Sequence, residues 1–269
     1  MHDDEGLNNQ RADALTAMPS TAAISISRPP LGLLGAEPWR AAMEYWAFHV
    51  NLLKRKRLAP MGDGHPVIIF PGLATDGSAL ALLRDHCESL GYQAIDWGRG
   101  YNTGPKGEIG PWLAELAAHT AEMLRRHRST ATLIGWSLGG IYAREVAKLL
   151  ASQVRQVITI GTPFNAQADH TNVGWLFSLM SSASAAAIDP VLSQRLRTPP
   201  PLPTTSIYSR SDGLVAWQTC CHANVSTPVQ DIEIDGSHIG MGWNPAVFNI
   251  VADRLGQQPA NWQPYAHSA

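Results

Sequence analysis

The chain has 269 residues and a formal net charge of −2, with 45% hydrophobic and 16% charged residues. This composition supplies enough apolar material for a sizeable core and argues against global disorder. The nearly balanced charge creates no overall field that would favour nucleic acid or an anionic membrane.

The cysteines and the hydropathy pattern bear on the compartment. Three cysteines, Cys87, Cys220 and Cys221, form no even disulfide framework, which is typical of a reducing compartment. The acidic N-terminus leads into no apolar run of the secretory kind, and no segment approaches the roughly 20 apolar residues of a membrane span. We therefore expect a soluble, cytoplasmic protein without a transmembrane segment. The oligomeric state is left open.

The first part of the chain is expected to contain a tail and one helix. Residues 1–36 lack sustained periodicity and are predicted to be a flexible tail. Pro38 suits a first helical turn, and a helix is predicted over Trp39–Leu58. Its basic end, residues 54–57, favours a solvated helix terminus. The aromatic residues of the segment leave a weak peripheral membrane contact of residues 39–57 as the alternative.

From residue 66 onwards, apolar β-branched runs alternate with helical periodicity, and six strands are counted. The predicted strands are Pro66–Phe70, Gln93–Trp97, Ala131–Trp136, Gln156–Ile160, Thr204–Tyr208 and Gln230–Ile234. The predicted helices between and after them are Ser78–Leu90, Pro111–His127, Leu138–Ala151 and Pro245–Leu255. This alternation predicts an α/β fold with a mostly parallel sheet, in one domain over residues 37–269.

One segment interrupts the alternation. Residues 164–203 separate two strands by about 40 residues, far more than the usual connection. The apolar side chains in the segment, including Trp175 and Phe177, favour a helical lid over a disordered linker. Together with Trp136 they are the candidates to line a substrate pocket.

The segment Gly135-Trp-Ser-Leu-Gly139 follows a strand and opens a helix. A serine at such a sharp turn is typical of the nucleophile elbow of hydrolases. The alternative, an ordinary turn serine, does not require the strand before it or the helix after it. Ser137 is therefore the candidate nucleophile.

A serine nucleophile needs a base and an acid that orients the base, in the chain order Ser, Asp or Glu, His. His238 lies in a glycine-rich loop directly after a predicted strand. Asp212 also follows a strand, although the Asp-Gly pair could be a simple turn. Both are expected at the edge of the sheet where Ser137 lies. The backbone N–H groups of Leu138 and Leu73 are the candidate oxyanion donors, since one follows the nucleophile and the other follows the first strand.

The sequence resembles the α/β-hydrolase superfamily, and more narrowly bacterial lipase- or esterase-like proteins with a Pro-Gly oxyanion loop. The similar stretches are Ile69-Phe-Pro-Gly-Leu73, Gly98-Arg-Gly-Tyr-Asn-Thr-Gly-Pro105, Gly135-Trp-Ser-Leu-Gly-Gly140, Ile160-Gly-Thr-Pro-Phe164, Tyr208-Ser-Arg-Ser-Asp-Gly213 and Gly236-Ser-His238. The resemblance implies a three-layer fold and carboxylic-ester hydrolysis by Ser137, Asp212 and His238. Many esterases have His-Gly where this chain has Pro71-Gly72.

Two other functions remain open from the sequence. The same acyl-enzyme would serve an acyltransferase or a thioesterase. A binding protein could keep the fold and use its pocket for recognition only, although the full triad argues against this. The sequence has no clustered metal ligands and no phosphate loop, so no metal, cofactor or nucleic acid is expected, only a small ester substrate.

Overall fold

The computed structural model describes residues 26–52, 62–165, 190–222 and 228–266. Within these ranges, the chain forms a six-stranded sheet with α-helices against both faces. The strands are β1 (Pro66–Phe70), β2 (Gln93–Asp96), β3 (Ala131–Trp136), β4 (Val154–Ile160), β5 (Thr204–Tyr208) and β6 (Val229–Glu233). The helices are α1 (Leu31–Leu52), α2 (Ala81–Ser89), α3 (Ile109–Leu124), α4 (Leu138–Leu149), α5 (Pro190–Arg197) and α6 (Pro245–Gly256).

The strands lie in the order β2-β1-β3-β4-β5-β6, and every neighbouring pair is parallel. All residues of β1, β3 and β4 are buried, whereas the edge strands β2 and β6 are partly exposed. Burial on both faces explains why β1 and β3 have nearly continuous apolar sequences. The predicted parallel sheet of six strands is confirmed.

The core consists of two layers separated by the sheet. Val67 and Ile69 face a cluster that includes residues of α1, α2 and α6. Ile68 and Phe70, which alternate with them, face a cluster that includes residues of α3, α4 and α5. Because successive side chains of a strand point to opposite faces, β1 contributes to both layers. This is the predicted three-layer arrangement.

The strand order creates a crevice at the carboxyl edge of the sheet. β2 lies on one side of β1 and β3 on the other, so the connections that leave β1 and β3 diverge there. Open parallel sheets bind ligands at such a switch point. The β3–α4 turn and the loop after β1 meet at this position.

Helix α1 differs from its prediction. It begins at Leu31 instead of Trp39, so residues 31–36 of the expected tail are helical and Pro38 lies inside the helix. A proline there only removes the hydrogen bond to the carbonyl of Leu34, and the helix continues through it. Residues 1–25 and the basic run at 54–57 lie outside the described residues, so the expected tail and domain bounds stay predictions.

The expected insertion at 164–203 is described only at its two ends. Helix α5 lies near the second end and was not predicted. The helical part of the expected lid, with its residues Trp175 and Phe177, lies outside the described residues. No helix in the described parts of the chain is both long and apolar enough to cross a membrane.

Candidate active site

Ser137 occupies a strained turn between β3 and α4. Its backbone angles are φ 54° and ψ −123°, a conformation that non-glycine residues rarely adopt. Such strain costs on the order of 1–3 kcal/mol and is maintained only where the surroundings impose it. Here the Ser137 amide donates to the carbonyl of Ile160 (2.8 Å), and the Ser137 carbonyl accepts from Gly140 (3.0 Å). The side chain is therefore held at the carboxyl edge of the sheet.

Two glycines after the serine are required by close packing. A methyl group at Gly139 would overlap the carbonyl oxygen of Phe70, at the end of β1. A methyl group at Gly140 would overlap the hydroxyl of Thr162, just beyond β4. Helix α4 thus begins in contact with the strands on both sides of β3. The glycines of the motif allow this approach.

Asp212 and His238 form a buried pair on the loops that follow β5 and β6. Nδ1 of His238 lies 2.6 Å from Oδ2 of Asp212, and both residues are almost fully buried. Oδ1 of Asp212 accepts the amides of Leu214 (2.8 Å) and Val215 (2.7 Å). The carboxylate is thereby fixed in position and oriented toward the imidazole.

The electrostatic environment favours the charged form of His238. Burial by itself lowers the pKa of the imidazole, but the charge and hydrogen bond of Asp212 and the charge of Glu37 raise it. The net result is a pKa above the ordinary value of 6.5. A raised pKa makes the imidazole a stronger base.

The ends of β3 and β4 contact His238 next to the serine turn. Gly161 follows Ile160, the residue bonded to Ser137, and a methyl group at Gly161 would lie 3.1 Å from Cε1 and Nδ1 of His238. Trp136, directly before Ser137, donates its indole N–H to the carbonyl of His238 (3.2 Å). Gly161 and Trp136 therefore hold His238 beside the serine turn.

The loop after β1 also reaches the serine. A methyl group at Gly72 would lie 3.0 Å from the ring of Trp136 and 3.4 Å from Cβ of Ser137. Leu73 follows Gly72 on this loop, and Leu138 is the first residue of α4. Both candidate oxyanion donors therefore belong to segments that border the serine, and their role stays a prediction.

Sequence reasoning missed Asn102, which supports that loop. Asn102 is fully buried; its side-chain amide donates to the carbonyl of Pro71 (2.9 Å), and its backbone bonds with Ala74 and Thr75 at 2.8 and 2.7 Å. Ala74 has a positive φ of 57°. The buried amide thus fixes the loop in an unusual conformation. The sequence signal that could have identified Asn102 is its position in the glycine-rich stretch 98–105.

Glu37 is a second residue that sequence reasoning missed. It is 2% exposed and accepts hydrogen bonds from the loops of both Asp212 and His238. Nothing in its local sequence indicates this role, because the partners lie more than 170 residues away.

Other histidine and aspartate residues after Ser137 in the chain have partners of their own. His222 pairs with Asp231 of β6 (2.6 Å), and the exposed Asp235 accepts from Ser211 (2.9 Å). These hydrogen bonds connect residues around the site and do not include Ser137. Three further residues of these types lie outside the described residues, namely His170, Asp189 and His267.

Trp136 and Phe164 are both buried. Trp136, a predicted pocket residue, is 8% exposed and wedged between Gly72 and the His238 loop. Its contribution to a pocket stays a prediction. Phe164, expected at the start of the lid, belongs to the core, where the guanidinium of Arg144 stacks 3.8 Å from its ring.

No protein-family model and no curated protein sequence matches this chain. Solved structures do share its fold. Lipase B of Aspergillus fumigatus has a TM-score of 0.54 at 17% identity, over 73% of this chain and 53% of that chain. The chain thus spans about half the length of that lipase.

Two further structures are covered almost completely. A structure of the metagenome-derived lipolytic enzymes LipS and LipT has a TM-score of 0.52 at 13% identity, over 73% of this chain and 94% of that chain. An α/β superfamily hydrolase from Oenococcus oeni has a TM-score of 0.50 at 17% identity, over 73% of this chain and 95% of that chain. At such identities, the similarity concerns the fold. This chain therefore has the α/β-hydrolase fold.

Proposed function

We propose that this protein is a serine hydrolase that cleaves carboxylic esters through an acyl-enzyme on Ser137. The observation that carries the proposal is the buried Asp212–His238 pair, 2.6 Å apart, at the same sheet edge as the strained Ser137. Each of the three residues follows a different strand of one sheet. A nucleophile, a base and an orienting acid are the groups that acyl transfer requires.

The first step is proton removal from the serine. Because Nδ1 of His238 is bonded to Asp212, Nε2 is the nitrogen that accepts the Ser137 proton. The hydroxyl oxygen then attacks the ester carbonyl. Asp212 keeps its charge and stabilises the imidazolium.

The carbonyl oxygen becomes negative as the tetrahedral intermediate forms. The amide of Leu138 lies in the first turn of α4, where no intrahelical acceptor exists and the helix dipole is positive. The amide of Leu73 is the proposed second donor. Preorganised donors of this kind contribute about 3–4 kcal/mol each to the transition state.

The second step releases the acyl group. His238 gives its proton to the leaving alcohol, then accepts one from a water molecule that attacks the acyl-enzyme. When the second tetrahedral intermediate collapses, the carboxylic acid leaves and His238 returns its proton to the Ser137 oxygen, which regenerates the hydroxyl and the neutral imidazole. Each carbonyl addition uses the same oxyanion donors.

The proposed substrates are esters with a short or medium acyl chain. The lipolytic activity named for two of the similar structures supports the ester class. Trp136, Trp175 and Phe177 are the residues proposed to contact the acyl chain. The same acyl-enzyme would form in an acyltransferase or a thioesterase, and the tests below separate these outcomes.

The primary test is Ser137→Ala. We expect turnover of an aryl ester to fall by on the order of 10³-fold or more, as removal of a triad nucleophile does. A fluorophosphonate probe should label the wild type and not the variant, while both give the same melting temperature within error. Normal turnover, or normal labelling of a folded variant, would refute the assignment of Ser137.

A graded panel of aryl esters with and without a competing alcohol tests the reaction type. Hydrolysis predicts that the free acid is the product in both cases. If the alcohol is acylated in preference to water, the protein is a transferase, and if only thioesters react, it is a thioesterase. A labelled protein that turns over no acyl compound would favour a binding function.

A further inference from the structure

Helix α1 turns its charged residues toward the protein. Glu37, Arg40 and Glu44 follow a helical spacing of three and four residues and contact the loops after β5 and β6. Two large apolar residues on the helix, Trp39 and Trp46, are 70% and 68% exposed. The face of α1 toward the protein thus carries charged side chains in addition to apolar core residues. The contacts of α1 with these loops are therefore largely polar.

Glu37 joins the loop of the acid to the loop of the base. Its Oε1 accepts the amides of Gly213 (2.7 Å), directly after Asp212, and of His238 itself (3.1 Å). Its Oε2 accepts the amide of Ile239 (3.3 Å). A buried carboxylate with three backbone donors is well satisfied. No strand hydrogen bond provides this connection, because both loops lie beyond the ends of β5 and β6.

The backbone of α1 is fitted to the acid loop. A methyl group at Gly213 would lie 2.6 Å from the carbonyl oxygen of Leu33 and 2.9 Å from Cγ of Glu37. Arg40 adds a second tie, since it donates to the carbonyl (2.5 Å) and the hydroxyl (2.9 Å) of Ser211. The helix therefore touches the residues on both sides of Asp212.

Glu44 binds the base loop at a different point. Its Oε1 accepts the amide of Ser237 and its Oε2 accepts the Ser237 hydroxyl, each at 2.9 Å. Glu44 makes no bond to His238 or to the acid loop. Glu44 is therefore a suitable control for Glu37, because its carboxylate lies on the same helix and binds Ser237, the residue before the base.

We propose that Glu37 is a positioning residue that holds the Asp212 loop and the His238 loop together and places a second negative charge beside the imidazole. The proposal rests on the proposed hydrolase function, in which His238 is the base. Asp212 carries the first charge and Glu37 the second. Removal of the Glu37 charge should therefore change the proton affinity of His238 as well as its position.

Four titratable groups lie on the elements around the base, and of these Asp212 and Glu37 act on its charge. Asp212 approaches from the β5 loop, Glu37 and Glu44 from α1, and the buried thiol of Cys220 lies close to Asp212. Burial, and then the Asp212 charge, raise the pKa of that thiol well above its usual range, so it stays neutral. Glu37 raises the pKa of His238 in addition to Asp212. Loss of the Glu37 charge lowers this pKa, so the imidazole becomes neutral at a lower pH.

The test compares Glu37→Gln with the matched control Glu44→Gln. For Glu37→Gln, we expect the acid limb of the pH profile of kcat/KM for an aryl ester to move down by about half a pH unit or more, the low end of a neighbouring charge effect. At the optimum, kcat/KM should fall about tenfold through kcat, because the side-chain amide opposes a backbone N–H and displaces the loops. Glu44→Gln should leave the limb at the wild-type pH.

Glu37→Asp separates charge from position. The charge is kept but the side chain is one methylene shorter, so we expect a wild-type acid limb with a lower kcat and an unchanged KM. Wild-type kcat in this variant would overturn the positioning role. It also keeps the proposal testable if Glu37→Gln does not fold.

A titration of His238 by NMR makes the test independent of turnover, with the resonance identified by its loss in His238→Gln. A lower pKa in folded Glu37→Gln, with no change in Glu44→Gln, supports the proposal. An unchanged pKa in Glu37→Gln overturns it. If the wild type hydrolyses no ester, the proposed function fails, and the NMR comparison still decides whether Glu37 acts on His238.

Discussion

At the residue scale, His238 is held on all sides. Its amide bonds to Glu37 (3.1 Å), its carbonyl to Trp136 (3.2 Å) and its Nδ1 to Asp212 (2.6 Å), while Gly161 leaves room for the ring. His238 as a whole residue is 4% exposed. These contacts determine the ring orientation and leave Nε2 as the ring nitrogen that does not bond to Asp212.

The pKa of His238 predicts the pH dependence of the reaction. In the proposed mechanism the neutral imidazole is the active form, so kcat/KM should rise with pH and reach half its maximum above pH 6.5, the ordinary value for histidine. In Asp212→Asn, this midpoint should move to lower pH, because the largest charge that raises the pKa is lost. Turnover should fall by roughly 10³-fold or more, since the amide favours the wrong tautomer. A pH series of kcat/KM measures both effects.

Asp235→Asn is the matched control. Asp235 precedes the base by three residues, but it is exposed and bonds to Ser211. We expect activity close to that of the wild type. Nearly wild-type turnover by Asp212→Asn, together with a large loss of turnover in Asp235→Asn, would contradict the assignment of Asp212 as the acid.

At the element scale, α1 and α5 are held by polar contacts in addition to their core residues. Helix α5 is attached to α4 by the ion pair between Arg195 and the buried Glu145, at 2.5 Å, and by Lys148, which donates to the carbonyl of Arg195. The end of the predicted insertion is therefore fixed against α4. This attachment limits the proposed lid to the part of the insertion before α5.

Gly213→Ala tests the fit between α1 and the acid loop. The added methyl would meet backbone atoms of Leu33, which cannot rotate away, so the helix or the loop must shift. Overpacking of this kind costs about 1–3 kcal/mol. We expect a lower urea midpoint and a loss of esterase activity.

Gly110→Ala is the control for this substitution. Gly110 lies near the start of α3, where a methyl group would have no neighbour within 4 Å. Alanine is the better helix former, so this variant should be as stable as the wild type or slightly more stable. Equal stability of the two variants would mean that α1 does not pack closely against Gly213.

At the scale of the whole molecule, the proposed lid is expected to select the substrates that reach Ser137. If Trp175 and Phe177 shelter an acyl chain, Trp175→Ala and Phe177→Ala should change the preference for chain length more than they change stability, because each buried methylene contributes about 0.8 kcal/mol. The measurement is the ratio of kcat/KM for a short and a medium-chain aryl ester. An unchanged ratio with a large drop in melting temperature would identify these side chains as core.

The sheet was predictable from the sequence because its signals are local. Burial on both faces gives Pro66–Phe70 and Ala131–Trp136 their apolar runs, and all six strands occur within two residues of their predicted bounds. The serine turn was also predictable, since the strand, the glycines and the helix are adjacent in the chain. The start of α1 was not, because Pro38 is compatible with both a first turn and an interior position.

The sequence by itself determined the strand order along the chain, the serine elbow and the candidate acid and base, because each depends on a short segment with its own periodicity or turn chemistry. Only the tertiary structure brought Asp212 to His238 and placed Glu37 against both loops. The Glu37–His238 contact joins residues 201 positions apart, and no local pattern specifies it. The donors to Glu37 come together only in the tertiary structure, where the parallel pairing of β5 and β6 aligns the ends of both strands.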